Sequence, residues 1–304
     1  MYIVTGSTGM LGSAVVAKLQ TSGISFLAPT RKDVDLMDPQ ATMEYFKETR
    51  PKVVLHTAAK VHGLMGNQKF PGDMFDENLR INFNVISAAK AVNVAKIVAA
   101  GTVAGYAAKF SEDIREDQYL DGEPHAAESS YGHAKRAMLA QLDSYYRQFD
   151  LPYAFAIYTN LYGPNDRFDT QYGHVVPSLV AKFHQAMRTG EPVRVWGTGK
   201  ATRDFLYSAD AARALLHLVD HGQGRFNIAT ARTVPIAYLV QLLSEISGVR
   251  NIIWETEKPE GQMMRSYNTE RLADTGFQLK HSLEEGIAQT YAWYCENYPD
   301  VRCH

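Results

Sequence analysis

Residues 2–12 confine this chain to a narrow set of folds. A short apolar run, Tyr2-Ile3-Val4-Thr5, leads into Gly6-Ser7-Thr8-Gly9-Met10-Leu11-Gly12, and an amphipathic pattern follows to residue 22. Strand, glycine turn and helix in that order make the opening of a dinucleotide-binding unit. Glycines let the backbone turn tightly and approach a pyrophosphate, whose charge is stabilised by the free amides at the helix N-terminus. The spacing is Gly-x-x-Gly-x-x-Gly rather than Gly-x-Gly-x-x-Gly, so the force of the motif comes from its place between a strand and a helix. Gly6, Thr8, Gly9, Met10, Leu11 and Gly12 are the candidate cofactor contacts.

The alternation continues. Apolar runs at 24–28, 53–57, 97–100 and 153–158 are separated by helical patterns at 39–49, 75–94 and 130–150, which predicts a parallel sheet covered on both faces. Past Gly163 the order loosens, with helices expected at 175–189, 209–219, 234–247 and 283–296 and strands at 193–196 and 226–228. The expected fold class is α/β, a Rossmann-type doubly wound parallel sheet with a smaller C-terminal α/β substrate lobe. A length of 304 residues suits two lobes. Residues 1–162 with 203–230 are expected to form the nucleotide-binding domain, and 163–202 with 231–304 the second domain.

Composition narrows the partners. With 45% hydrophobic and 21% charged residues and a net charge of -2, nothing points to nucleic acid or a membrane surface. The two cysteines, Cys295 and Cys303, cannot make a disulfide framework or a cysteine-rich metal site, so no metal is expected and a reducing compartment fits. A strand beginning at residue 2 leaves no room for a signal peptide, and no apolar run reaches the ~18 residues of a membrane span. The expected location is the cytoplasm.

The second strand ends in Ala28-Pro29-Thr30-Arg31-Lys32. An acidic residue there would bind a ribose diol, whereas the Arg31 guanidinium suits a 2′-phosphate, so the expected cofactor is NADP(H). The alternative is that Asp33 or Asp35 takes the ribose. Further on, Tyr131-Gly-His-Ala-Lys135 puts a phenol and an ammonium on one helix face. A free phenol titrates near ~10, and a neighbouring cation and an oxidised nicotinamide would lower that, making Tyr131 usable for acid–base work. Thr102, just past the fourth strand, could hydrogen-bond the carbonyl oxygen that receives a hydride.

With these features in order, the chain resembles the extended short-chain dehydrogenase/reductase family, and within it the GDP-L-fucose synthases. The resemblance runs nearly end to end and is sharpest in Ala58-Ala59-Lys60-Val61, Tyr131-x-x-x-Lys135, Thr159-Asn160-Leu161-Tyr162-Gly163-Pro164 and His174-Val175-Val176-Pro177. Val195-Trp196-Gly197-Thr198-Gly199, Arg203-Asp204-Phe205-Leu206 and Lys258-Pro259-x-Gly261 complete it. It implies further cofactor contacts at Ala58, Ala59 and Lys60, and a GDP-linked keto-deoxy sugar contacted by Asn160, Val175, Leu179, Val195, Trp196, Arg203 and Arg265. It also implies a homodimer formed largely by helices, including the one that carries Tyr131.

One departure bears on the chemistry. The family epimerises C3 and C5 beside a 4-keto group with a cysteine and a histidine, then reduces C4 with NADPH. The histidine is matched by His174, but the loop here reads Gly101-Thr102-Val103-Ala104-Gly105-Tyr106, with Ala104 where the family has cysteine. A methyl group cannot move protons. The expectation is that 4-keto reduction by Tyr131, Lys135 and Thr102 is retained and epimerisation is weakened or lost. The alternatives are a complete synthase using a substitute such as His62, which stands where the family usually has glycine, with His133 and Lys109 as weaker candidates, or a non-catalytic dinucleotide-binding sensor. A dehydratase is disfavoured because Val103 and Ala104, not an acidic pair, follow Thr102. An epimerase that keeps NAD is disfavoured by Arg31. The sugar could be a hexose or a heptose.

Overall fold

The first βα unit sets the frame for the rest of the chain. β1 (Tyr2–Thr5) is buried, and α1 (Met10–Gln20) lays Leu11, Val15 and Leu19 against the sheet. The computed structural model describes residues 1–258 and 264–303; Pro259 and Gly261 of the Lys258-Pro259-x-Gly261 motif lie outside them. The chain continues through β2 (Phe26–Leu27), α2 (Pro39–Thr49), β3 (Val53–His56), α3 (Leu64–Lys69), α4 (Pro71–Ala91), β4 (Lys96–Thr102), α5 (Ser129–Phe149) and β5 (Tyr153–Tyr158). It then weaves through β6 (Asn160–Tyr162), α6 (Val175–Thr189), β7 (Val193–Trp196), β8 (Thr202–Tyr207), α7 (Ser208–His221) and β9 (Gly224–Ile228). The last elements are β10 (Thr233–Pro235), α8 (Ile236–Ser247), β11 (Ile252–Glu255), the short α9 (Glu270–Ala273) and α10 (Leu283–Asn297).

The main sheet has six parallel strands in the order β2-β1-β3-β4-β5-β9, as expected for a doubly wound α/β fold. Successive residues feed opposite faces. Ile3, Val54 and Ile97 join the core under α2, α4 and α5, while Val4, Leu55 and Val98 join the core under α1 and α7. Each such fully buried side chain contributes about 1.5–3 kcal/mol relative to exposure. Strand order reverses at β1, with β2 on one side and β3 on the other. The carboxyl ends of β1 and β3 therefore flank a crevice, the usual ligand position in such sheets.

The second lobe is built from two small sheets, β10-β8-β6 and β11-β7, under α6, α8 and α10. One residue, Thr159, separates β5 of the first sheet from β6 of the second. The lobes are thus stitched together at the edge of the crevice. Among the described residues no helix is long and apolar enough to cross a membrane, and no group of three potential metal ligands occurs.

Several elements differ from the sequence expectation. β2 is two residues long rather than five, and α4 starts at Pro71, whose missing N–H costs nothing in the first helical turn. β4 runs on to Thr102 and so makes the candidate hydroxyl the last residue of a strand. Helix α3 and strands β6, β8, β10 and β11 were not anticipated. They span three to six residues each, too few for a period of 2 or 3.6 to stand out.

Candidate active site

The glycine turn lies at the end of β1, beside the end of β3. Gly6 has φ +72°, and a Cβ there would stand 2.6 Å from Ala58 Cα. A Cβ on Gly12 would overlap the Gly6 carbonyl, whereas one on Gly9 would meet only Gly6 O at 3.4 Å. Close approach therefore demands Gly6 and Gly12. Gly9 caps α1 with no side-chain hydrogen bond, which leaves the first-turn amides free to face an anion. Thr8 is exposed over the turn, Met10 is partly buried, and Leu11 packs into the core. Ser7 Oγ donates to Ala28 O (3.1 Å) and Pro29 O (3.0 Å), tying the turn to the end of β2.

Beyond β2 the acidic residues are occupied locally. The Asp33 carboxylate accepts from Thr30 N and Thr30 Oγ1, both at 2.8 Å, and these bonds hold its pKa below the usual range. Asp35 accepts from Met37 N at 3.0 Å. Arg31 is exposed and has no partner among the described residues. An uncapped helix end, a turn that a Cβ would fill and a free guanidinium fit a 2′-phosphorylated dinucleotide. At the end of β3, Ala58 is buried and Ala59 partly so. Lys60 is held against α4, its ammonium paired with Glu77 and 3.9 Å from Asp73, and its amide donating to Asn78 Oδ1 at 3.0 Å.

The candidate proton-transfer pair lies on one face of the first two turns of α5. Lys135 is 1% exposed, and its Nζ donates to Ala100 O at 2.8 Å, on β4. Burial pulls its pKa down to about 7. Nζ lies 5.8 Å from the centre of the Tyr131 ring. Tyr131 keeps some solvent exposure while protein surrounds it, and burial, aided by the charge of Glu128, raises the phenol pKa well above its ordinary value. The lowering anticipated from the sequence is therefore not found: loss of water around a phenolate and the Glu128 charge both act against ionisation. The phenol therefore carries its proton at neutral pH, the state from which a donor starts. Beneath the pair, fully buried His56 places Nδ1 2.8 Å from Thr5 Oγ1 and Nε2 2.9 Å from Asn82 Oδ1. Burial, with the Lys135 charge, lowers its pKa to about 3, so it is neutral.

Thr102 Oγ1 accepts from Ala104 N at 3.2 Å, which leaves its O–H free to donate. The loop that follows is held rigidly. Arg136 Nε donates to Gly105 O at 2.7 Å, and Arg265 donates to Val103 O (3.2 Å), Tyr106 O (3.3 Å) and Ala107 O (2.6 Å). A Cβ on Gly132 would stand 2.6 Å from Ala104 O, so α5 abuts this loop directly. Ala104 is 7% exposed and offers only its methyl group.

The opposite wall belongs largely to loops. His174 stands at the N-terminus of α6 and is exposed, with protein close around it. Burial lowers its pKa, against a hydrogen bond to the His62 backbone that raises it. His62 Nδ1 lies 2.7 Å from Arg167 Nη1, and Arg167 Nη2 lies 3.0 Å from Asp169 Oδ2. Burial, then Arg167 and Lys60, push the His62 pKa down. His133 instead faces Glu123 at 3.3 Å, and Lys109 lies against the Phe110 ring.

The remaining residues expected at the substrate divide into two sets. Val175 is partly buried, Asn160 Nδ2 donates to Asp204 O at 2.9 Å, and Trp196 is 40% exposed, between Lys182 and Lys258. Arg203 is partly exposed and donates to Thr202 O at 2.7 Å. Leu179 and Val195 differ: their side chains are buried in the core of the second lobe because α6 and β7 turn those positions inward. Arg265 is buried, with two of its nitrogens on loop carbonyls and its Nε without a partner. Sequence reasoning missed Glu128, whose carboxyl stands among Arg265, His125 and Arg203, and whose pKa burial raises. It also missed Arg136, Arg167 and Asp169. The polar tract Asn165-Asp166-Arg167-Phe168-Asp169 was the available signal for the last two.

Comparison with known proteins places these features in company. Residues 2–229 match the model of the NAD dependent epimerase/dehydratase family. GDP-L-fucose synthase 1 of Arabidopsis thaliana is 35% identical over 299 residues, covering 97% of this chain and 93% of its own. A GDP-L-fucose synthetase from Naegleria fowleri, solved bound to NADP, superposes with a TM-score of 0.90 at 28% identity, covering 99% of this chain and 95% of its own. A GDP-6-OMe-4-keto-L-xylo-heptose reductase from C. jejuni superposes with a TM-score of 0.92 at 26% identity, covering 97% of each chain.

Proposed function

The chain belongs to the NAD dependent epimerase/dehydratase family, and from that premise we propose that it is an NADP(H)-dependent oxidoreductase that reduces the 4-keto group of a GDP-linked 4-keto-6-deoxy sugar. The observation that carries the reading is the arrangement of Tyr131, Lys135 and Thr102 where β4 ends against α5. Gly6, Gly12 and the free amides of α1 hold the pyrophosphate, and Arg31 takes the 2′-phosphate. Bound NADPH supplies the hydride that arrives at C4. Thr102 donates a hydrogen bond from its hydroxyl to the carbonyl oxygen and orients it, keeping its own proton. Tyr131 gives its proton to that oxygen as negative charge develops there. Lys135, anchored on Ala100 O, offers its remaining protons to the ribose and stabilises the phenolate that Tyr131 leaves behind. His174 stands on the opposite wall, with Trp196 and Arg203 available to the nucleotide.

Epimerisation at C3 and C5 is lost or strongly weakened. The loop carries Ala104 against α5, so no thiol is available there to exchange a proton. The rival reading, a complete synthase with His62 as substitute, meets a specific obstacle: the Nδ1 lone pair that a base would use is already bonded to Arg167. The sensor reading is disfavoured by the intact Tyr131, Lys135 and Thr102. We read the active form as a cytoplasmic homodimer. Phe83 on α4 is 54% exposed, and Phe75, Tyr146 and Phe149 on the same helix pair are exposed too, an apolar surface that pairing would cover. The test is to add GDP-4-keto-6-deoxy-mannose to enzyme and NADPH. Loss of NADPH absorbance with a C4 alcohol in the product supports the reading, and cofactor binding without consumption overturns it.

A further inference from the structure

Resting on the reductase reading, we propose that His62 reads the substrate: it is a neutral imidazole whose Nε2–H is held as a fixed donor to a ring hydroxyl of the keto sugar, with Arg167 and Asp169 fixing its tautomer. A guanidinium only donates, so the 2.7 Å contact from Arg167 Nη1 makes His62 Nδ1 an acceptor. The ring proton then resides on Nε2. That nitrogen has no partner among the described residues and is not among the buried polar atoms, so it is open to solvent.

The ring cannot turn away. A Cβ on Gly66 would come 2.5 Å from His62 Cβ, so α3 packs against the side chain with no room to spare. Phe70 lies 5.7 Å away, ring centre to ring centre. The His62 carbonyl accepts from Asn67 Nδ2 at 2.7 Å, and Gly63 N donates to Tyr172 O at 2.8 Å, which ties the loop to the segment that leads into His174. Asp169 in turn holds Arg167 at 3.0 Å. The charged groups facing the ring are Arg167 and Lys60, which oppose its protonation, and Asp169 and Glu77, which favour it; with burial added, the ring stays neutral. The His174 ring is its neighbour.

These facts separate donor from acid or base. With its lone pair occupied, His62 cannot accept a proton, and a neutral imidazole N–H is far too weak an acid to release one. It can donate a hydrogen bond of fixed direction, and a site built to bond a hydroxyl discriminates strongly against an analogue lacking it.

The experiment compares kcat/KM for GDP-4-keto-6-deoxy-mannose with that for its 2-deoxy and 3-deoxy analogues. The wild-type enzyme should favour the full sugar over one of the two by about 10-fold or more. His62→Ala should erase that preference mainly through KM, and His62→Gln, which keeps an N–H donor, should restore part of it. Arg167→Gln should free Nδ1 and give the KM a dependence on pH near the ordinary histidine range that the wild type lacks. Equal discrimination by wild type and His62→Ala, or none by the wild type, overturns the proposal. So does a His62→Ala variant whose kcat falls while its KM and its preference between the sugars stay as in the wild type. If the wild type consumes no NADPH with any of the three sugars, the reductase reading falls and this inference with it. If it consumes NADPH and His62→Ala discriminates as before, this inference alone falls.

Discussion

The two walls of the cleft are built by different means. On one wall, Thr102 ends a seven-residue strand, Lys135 is anchored to that strand through Ala100 O, and Tyr131 lies one turn before Lys135 on the same helix face. On the opposite wall, His62 and His174 belong to loops held by Arg167, Asp169 and Tyr172. Regular structure fixes Thr102, Tyr131 and Lys135, and loop-to-loop hydrogen bonds fix His62 and its neighbours. On the proposed reading, a substitution on the loops should change which sugar is accepted, and one on the strand and helix whether anything is reduced. Ala104 sits on the rigid side, buried against α5, where its methyl group can exchange no proton.

The contrast can be broken most sharply at Tyr131. Tyr131→Phe should lower kcat by about 10³-fold while NADPH still binds, as measured by single-turnover kinetics and fluorescence titration. A loss under tenfold would remove Tyr131 as the proton donor. Next in size is the cofactor side: Arg31→Ala should weaken NADPH binding by about 10- to 100-fold with little effect on NADH, since one charge-assisted contact is lost. Equal losses for both cofactors would count against Arg31 as the 2′-phosphate ligand.

A smaller effect follows from Lys135. Its pKa of about 7 in the free protein means that it is charged below neutrality and neutral above it. NADPH affinity should therefore decline several-fold as pH rises from 7 to 9, and binding near pH 7 should take up protons, detectable by calorimetry in buffers of different ionisation heat. Affinity that is flat across that range contradicts the assignment. The smallest expected change is from Ala104→Cys, which should introduce slow solvent exchange beside the keto group, seen by NMR, without raising the rate of C4 reduction.

Much of the reductive wall was legible in the sequence because its signals are local. The glycine turn follows a strand at once, and Tyr131 and Lys135 lie four residues apart on one helix. The other wall was not legible, because His62 and Arg167 are 105 residues apart and meet only after two lobes have folded. Glu128 escaped notice for a related reason: the arginines near it come from β8 and from residue 265. Leu179 and Val195 show the opposite failure. Motif matching placed them at the substrate, but a residue can keep its place in a motif while its side chain faces the core. Tyr131 shows that burial and a neighbouring carboxyl, Glu128, govern a phenol that helix spacing alone pairs with a cation.

The central claim is that reduction survives and epimerisation does not. It is tested most directly by turning over GDP-4-keto-6-deoxy-mannose with NADPH in deuterated buffer and locating the label in the product by NMR. The account predicts reduction at C4 with protium retained at C3 and C5. Rapid deuterium uptake at both C3 and C5 would contradict it.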